Sequence, residues 1–240
     1  MEPIQAARPD YGLDRKPGDQ HYRAYVGPPD RYDLMGGLQL SLLLAAGLRE
    51  THLVVDVGCG SLRAGKLLIP YLRPQHYYGI DPNGWLIDEA IERELGQDLI
   101  SLKSPIFSSS DDFDVSAFGV QFDFAIAQSV FSHTHPDLAE HGLRCIGEAL
   151  APEGVLFATY YPGEDSPAPG TGWAYPNNVR YSWDTLSGLI HDSGLVGFPI
   201  NWPHPKQRWF VASRRPQIER ARWLAAAIRP PLDLDIPEPH

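Results

Sequence analysis

The stretch VVDVGCGSLRAGKLL, residues 54–68, gathers residue types that handle nucleotides: a carboxylate, Asp56, ending a β-branched run, followed by Gly58 and Gly60. Three chemistries compete for it. A G-x-x-x-x-G-K phosphate loop threads through Gly60, Gly65 and Lys66, but it needs Ser or Thr next to hold magnesium, and the next residue is Leu67. A G-x-G-x-x-G dinucleotide fingerprint threads through Gly58 and Gly60, but its third glycine, which lets the helix pack on the strand, is replaced by Arg63. What remains is close backbone approach to a ligand without phosphate. Glycines permit that approach, and a carboxylate at the strand tip disfavours phosphate while suiting a cationic or amino-bearing group. Twenty-one residues after Gly60, the run YYGID ends in Asp81. A carboxylate there can accept hydrogen bonds from a ribose 2′- and 3′-hydroxyl pair.

S-adenosyl-L-methionine has the ribose, the positive charge and the missing phosphate. At these residues the sequence resembles the class I S-adenosylmethionine-dependent methyltransferases, on four segments in order: VVDVGCG, YYGIDPN, FDFAIAQSVFSH and EALAPEGVLFATYY. The resemblance covers about residues 50–214. It implies an α/β fold, a Rossmann-like, seven-stranded, mostly parallel doubly wound sheet with an antiparallel edge hairpin. It also implies the donor S-adenosyl-L-methionine and the product S-adenosyl-L-homocysteine. By resemblance, Asp56 acts near the methionine amino group, directly or by shaping the loop, and Gly58, Cys59 and Gly60 approach the cofactor. Asp81 binds the ribose, and Pro82 and Asn83 border the adenine. Asp112 and Phe113, in SSSDDFD, meet the adenine amino group, and Gln128 lies beside the methionine portion. Arg63 is either a partner for the methionine carboxylate or a helix-surface arginine.

Methyl transfer is an in-line displacement at carbon, so much of its catalysis is positioning. A hydroxyl acceptor also needs a base, most often histidine, worth roughly a hundred- to ten-thousand-fold. QSVFSHTHPD follows the fourth strand of the resemblance and offers His133 and His135. His133 is a base or a hydrogen-bonded structural residue. His135, just before Pro136, is a second catalytic candidate or a helix cap. With Asp137 the two histidines spell a possible divalent-metal site, but alternate residues of an extended segment point to opposite sides, so a metal is not favoured. The acceptor pocket falls to the arm, through Tyr32, and to YYPGEDSPAPGTGWAYPNNVRYSW, through Tyr160, Trp173, Tyr175 and Asn178. Flat and polar side chains together suit a saccharide or an aromatic acceptor, and the competing reading is an aromatic mini-core that orders a long loop. Arg31 and Arg180 either fix an acidic acceptor or are solvated.

These residues need elements to position them. DLMGGLQLSLLLAAGL places Leu34, Leu38, Leu42 and Ala45 at helical spacing with Asp33 as a cap, and a helix is expected to start at Ser61 or Leu62. NGWLIDEAIERELG is a crossover helix stopped by Gly96. Strands are expected at SPIFSS, FDFAIAQS, GVLFATYY, LVGFPI and QRWFVAS, the last two as an antiparallel hairpin, with helices at HPDLAEHGLRCIGEAL and SWDTLSGLIHDSG. The organisation is an N-terminal arm or lid over residues 1–33 and a methyltransferase domain over 34–214, with an insert at about 161–182 covering the acceptor site. A short helix and flexible tail follow over 215–240.

The 240 residues, 43% apolar, suffice for one sizeable core. A formal net charge of -10 offers no field to attract nucleic acid. The two cysteines, Cys59 and Cys145, are too few for a disulfide framework or a thiolate zinc site, and both read as small buried apolar residues of a reducing compartment. With neither a leader-like apolar run nor a membrane span, the expected location is the cytoplasm. A homodimer is compatible with this reading. The expectation is O-methylation of a small-molecule hydroxyl, a saccharide or glycoside ahead of a phenolic natural product. The alternatives are an N-methyltransferase of a small-molecule amine and a non-catalytic nucleotide-binding module.

Overall fold

Strands covered on both faces read as unbroken apolar runs rather than alternating ones, and VVDV, YYGI and FDFAIA are close to that pattern. In the computed structural model, which describes residues 10–166 and 170–230, all but one of their residues are buried. The elements in chain order are α1 (Tyr22–Tyr25), α2 (Tyr32–Ala45), β1 (Val54–Val57), α3 (Gly65–Tyr71), β2 (Tyr77–Ile80), α4 (Gly84–Ala90), α5 (Gln97–Lys103) and β3 (Ile106–Ser108). There follow β4 (Phe122–Ala127), α6 (Pro136–Ala149), β5 (Leu150–Pro162), β6 (Arg180–Tyr181), α7 (Trp183–Asp192), β7 (Leu195–Ile200), β8 (Arg208–Arg214) and α8 (Ile218–Ala227). The strands run in the order β3-β2-β1-β4-β5-β8-β7, with β6 beside the end of β5. β8 is antiparallel to both β5 and β7, and the other pairs are parallel. This is the mostly parallel doubly wound sheet with an antiparallel edge hairpin that the sequence predicts.

Register places the site. Val57 pairs with Ile80 and Asp56 with Ile126, so the residues leaving β1, β2 and β4 emerge together at one sheet edge. The strand order reverses at β1/β4, where open α/β sheets form their ligand crevice. One apolar layer packs Val55, Val57 and Ala125 against α6 and α7, and the other packs Val54, Phe124 and Ile126 against α2, α3 and α8.

Three local features depart from the sequence expectation, and a fourth concerns the arm. Asp33 does not cap α2. A 3-10 turn, Pro29–Arg31, leads straight into Tyr32, which puts Asp33 inside the first turn, where it pairs with Lys66 and Arg23. The helix after the glycine loop starts at Gly65, not at Ser61 or Leu62, because Leu62 takes φ 56° and residues 60–64 form turns. Gly96 does stop its helix, at φ 81°, but α5 follows at once, and no residue of α5 is buried. The arm is folded where it is described. Tyr22 and Ala24 are buried, and Arg23 and Lys66 share Glu94 and Asp33 across four elements. The tail over 231–240 lies outside the described residues. No helix among the described residues is long and apolar enough to cross a membrane.

Candidate active site

A cavity of about 810 Å³ opens at the tips of β1, β2 and β4, in the upper part of the roughly 300–1,000 Å³ range of ligand sites. Its floor is the glycine loop. Gly58 and Gly60 have φ 70° and 50°, and a Cβ on them would come within 2.6 Å of Val130 and 2.8 Å of Val26. Gly58 and Cys59 donate their N–H groups to the Ile80 carbonyl, at 2.8 and 3.1 Å. Asp81, 7% exposed, completes the loop. Its Oδ2 accepts from Gly60 N at 2.9 Å and its Oδ1 from Asn83 N and Nδ2 at 2.8 and 3.0 Å. Pro82, Asn83 and Leu86 continue the wall.

Asp56 stands behind this floor. It is 3% exposed, accepts a 2.8 Å hydrogen bond from the Tyr77 hydroxyl and does not border the cavity. Burial, with the charge of Asp81 added, pushes its carboxyl up to about 7 against the opposing pull of Tyr77 and Arg63. Of its two expected roles, shaping the loop is the one this geometry supports. Cys59 needs correction as a cofactor contact: its side chain points into the α2/α3 layer, where a Cβ on Gly79 would come within 2.9 Å of its sulfur. Arg63 is no helix-surface residue, since α3 begins two residues later. It is buried deeply enough for desolvation to lower its pKa, donates to the Val26 carbonyl at 2.9 Å and borders the cavity.

Gln128 leaves β4 into the cavity, 6% exposed, with Oε1 unpartnered. The loop beyond it is fixed by a hydrogen-bonded chain. Ser129, at φ 62°, donates N–H to Thr159 Oγ1 at 2.7 Å, Thr159 donates to Gln207 Oε1 at 2.5 Å, and Gln207 Nε2 donates to Ser132 Oγ at 3.2 Å. A 3-10 turn, Phe131–His133, then brings His133 to the cavity wall. His133 Nδ1 lies 2.8 Å from the Asn177 carbonyl oxygen. A carbonyl only accepts, so Nδ1 carries the hydrogen and Nε2 keeps its lone pair. Burial lowers the pKa of this ring, which keeps it neutral at pH 7.

His135 does not join it. Extended backbone at His135 and the turn before it send the side chain to the outer side of the insert, where Nδ1 accepts from Gly170 N at 3.1 Å. There it borders a shallower depression of about 500 Å³. Asp137 accepts instead from Gly172 N at 3.1 Å, so these two histidines and the aspartate do not converge on one point. Among the described residues no group of three or more His, Cys, Asp or Glu side chains is arranged to hold a metal.

At the opposite end, Asp112 is corrected to Asp111. Asp112 is exposed and bonded to the Ser110 hydroxyl, whereas Ser110, Asp111 and Phe113 border the cavity. Phe113 stacks on Trp173 at 5.4 Å, and Trp173 Nε1 donates to the Asp111 carbonyl at 2.9 Å, which ties this wall to the insert. Trp173, Tyr175 and Asn178 border the cavity, as the sequence suggests. Two aromatic contacts do not. Tyr160 faces the core against Trp183 and Phe210, and its neighbour Tyr161, on the other side of the strand, borders the cavity. Tyr32 is 1% exposed and donates its hydroxyl to the Ser61 carbonyl, so it anchors α2 rather than a ligand. The arm contributes Tyr25, Val26 and Arg31 in its place. Sequence reasoning missed His204, Lys206 and Gln207, which the β7–β8 loop carries to the rim. His204 Nδ1 accepts from Lys206 N and Gln207 N at 3.2 and 2.8 Å, so its hydrogen is on Nε2. Burial, assisted by Arg63, lowers its pKa to about 3.

Residues 55–156 match the family described as "Methyltransferase domain". Among solved structures, magnesium protoporphyrin IX methyltransferase from Synechocystis PCC 6803, with bound S-adenosylmethionine, aligns at TM-score 0.58 and 18% identity over 87% of this chain and 99% of that one. A S-adenosylmethionine-dependent methyltransferase from Clostridium acetobutylicum ATCC 824 aligns at TM-score 0.57 and 11% identity over 82% and 96%. An O-methyltransferase family protein from Burkholderia thailandensis aligns at TM-score 0.54 and 16% identity over 76% of this chain and 58% of that one. At such identities the likeness is one of fold. Motif order, sheet topology and family match agree: residues 55–156 match the methyltransferase-domain family, and the chain has the class I methyltransferase fold.

Proposed function

We propose that this protein transfers the methyl group of S-adenosylmethionine to a hydroxyl oxygen of a small molecule, a saccharide or glycoside ahead of a phenolic natural product. The observation that carries the oxygen acceptor is His133: a neutral ring, held by the Asn177 carbonyl, with a free Nε2 lone pair, bordering the same cavity as Asp81.

The residues present fit the donor. Asp81 offers carboxylate oxygens to a ribose diol, Asp111 and Phe113 border the adenine, and the unpartnered Oε1 of Gln128 suits an ammonium group. Arg63 suits the methionine carboxylate. When bound, S-adenosylmethionine supplies an electrophilic methyl group on a sulfonium centre. The protein would orient the acceptor between Trp173, Tyr175 and Asn178, keep bulk water out with the folded arm, and take the hydroxyl proton on His133 Nε2 as the methyl carbon exchanges its bond to sulfur for one to oxygen, the sulfur keeping the electron pair and leaving as S-adenosylhomocysteine. The positive charge that Nε2 gains is shared through Nδ1–H with the Asn177 carbonyl. Geometry sets most of this rate, and the base adds its roughly hundred- to ten-thousand-fold.

A transfer screen with isotopically labelled methyl donor over sugars, phenols and amines tests this. Label on a hydroxyl oxygen is the expected outcome. Label on nitrogen alone supports the amine alternative, and S-adenosylhomocysteine binding without any transfer supports a binding module.

A further inference from the structure

The cavity holds more positive charge than the methyl donor uses. The chain has 30 acidic against 20 basic residues, yet Arg31, Arg63 and Lys206 face the cavity against Asp81 and Asp111. Both carboxylates belong to the nucleoside end. S-adenosylmethionine brings one carboxylate, and Arg63, three residues after Gly60, is the cation beside the methionine in the proposed function. Arg31 and Lys206 are then left over. Neither makes an ion pair among the described residues, and Arg31 Nη1 is buried with no hydrogen-bond partner.

Arg31, His204 and Lys206 border the same cavity as His133. Lys206 and His204 belong to the loop that Gln207 ties to Ser132, the residue before His133. His204 adds a neutral Nε2–H donor, because two backbone N–H groups occupy its Nδ1. Arg31 is partly exposed, but a guanidinium nitrogen buried without a partner is costly unless an anion joins it, and the planar fork matches a carboxylate.

We infer that the acceptor carries a carboxylate besides its hydroxyl, anchored by Arg31 with Lys206 and His204, so that the hydroxyl is presented to His133. This rests on the methyl-transfer reading and narrows its substrate class. A hydroxybenzoic acid and a uronic acid share the chemistry, and both have a ring for Trp173 and Tyr175 to hold.

The test is calorimetry with 4-hydroxybenzoate against 4-hydroxybenzamide, and glucuronate against glucose, on protein saturated with S-adenosylhomocysteine and on protein without it. At least one acid is expected to bind about tenfold or more tightly than its uncharged counterpart, as charge-assisted hydrogen bonds imply. Arg31→Gln is expected to abolish that preference, Lys206→Gln to reduce it, and both to leave S-adenosylhomocysteine affinity within about twofold. Which acid binds identifies the ring class. Equal binding of acids and neutral counterparts, or weak binding of all four, overturns the inference. So does an Arg31→Gln variant that keeps the acid preference but binds S-adenosylhomocysteine poorly, since Arg31 would then serve the donor. Failure of the unaltered protein to bind S-adenosylhomocysteine counts against the methyl-transfer reading instead, and the titrations without it still decide whether the pole binds acids.

Discussion

Asp81→Asn separates ligand binding from loop building, because Asp81 does both. A carboxylate offers about four lone-pair positions, and Gly60 N, Asn83 N and Asn83 Nδ2 occupy three of those on Asp81. Substitution by asparagine turns one oxygen into an NH₂ donor. At Oδ2 it would face Gly60 N–H across 2.9 Å, and at Oδ1 Asn83 N–H across 2.8 Å, so one donor is orphaned in either orientation. That costs about 1–3 kcal/mol, a fall in Tm of roughly 2–12 °C for a protein of this size. The ribose loses a charge-assisted hydrogen bond worth about 1.5–3 kcal/mol, or roughly 10- to 150-fold in Kd. Calorimetric titration with S-adenosylhomocysteine, beside thermal unfolding without ligand, reads both quantities. A variant with reduced Tm that still binds S-adenosylhomocysteine within twofold would refute the ribose role and leave Asp81 as a loop residue only.

Asp56→Asn is expected to change the pH dependence of stability. The folded carboxyl is raised to about 7 from 3.8, so its favourable contribution is complete below pH 3.8 and is lost as pH rises to 7, by at most about 4 kcal/mol. Thermal unfolding from pH 4 to 8 should show the wild-type decline flattened in the variant, and identical curves would mean that Asp56 is already ionised without penalty. Arg23→Ala should loosen the arm. Glu94 would lose its arginine partner while keeping Lys66 and the Tyr22 hydroxyl, at a cost of about 1–3 kcal/mol, and limited proteolysis should then cut within residues 10–31 before the domain. An unchanged cleavage pattern would show that the arm is held by its apolar contacts alone.

What was legible in the sequence was whatever a strand or turn dictates locally. Asp56, Gly58, Gly60 and Asp81 mark two strand tips, and the parallel register of β1 and β2 then has to bring those tips together. The edge hairpin was legible because no helix fits between LVGFPI and QRWFVAS. The errors arose where tertiary context decides. No local rule chooses Asp111 over Asp112, because a left-handed residue, Phe113, resets the loop. Tyr160 and Tyr161 had to face opposite ways, but which one meets the cavity depends on where β5 lies in the sheet. His133 ends a 3-10 turn and His135 lies in the extended backbone after it, a change that periodicity cannot reveal. The α5 helix buries no face and so leaves no apolar stripe to read. The β7–β8 loop gave no signal, because it reaches the cavity only once β8 has paired with β5.

The central claim, transfer to an oxygen assisted by His133, is tested most directly by the single-turnover rate of methyl transfer against pH, with saturating S-adenosylmethionine, in wild type and His133→Ala. The folded pKa of His133 lies below 6.5, so the wild-type rate should be at its plateau above about pH 6.5 and fall below it as Nε2 is protonated. The variant should lose that acid limb and be slower by about 10²–10⁴-fold at the plateau, with S-adenosylhomocysteine affinity unchanged. A variant rate within threefold of wild type, with the same pH profile, would contradict the account.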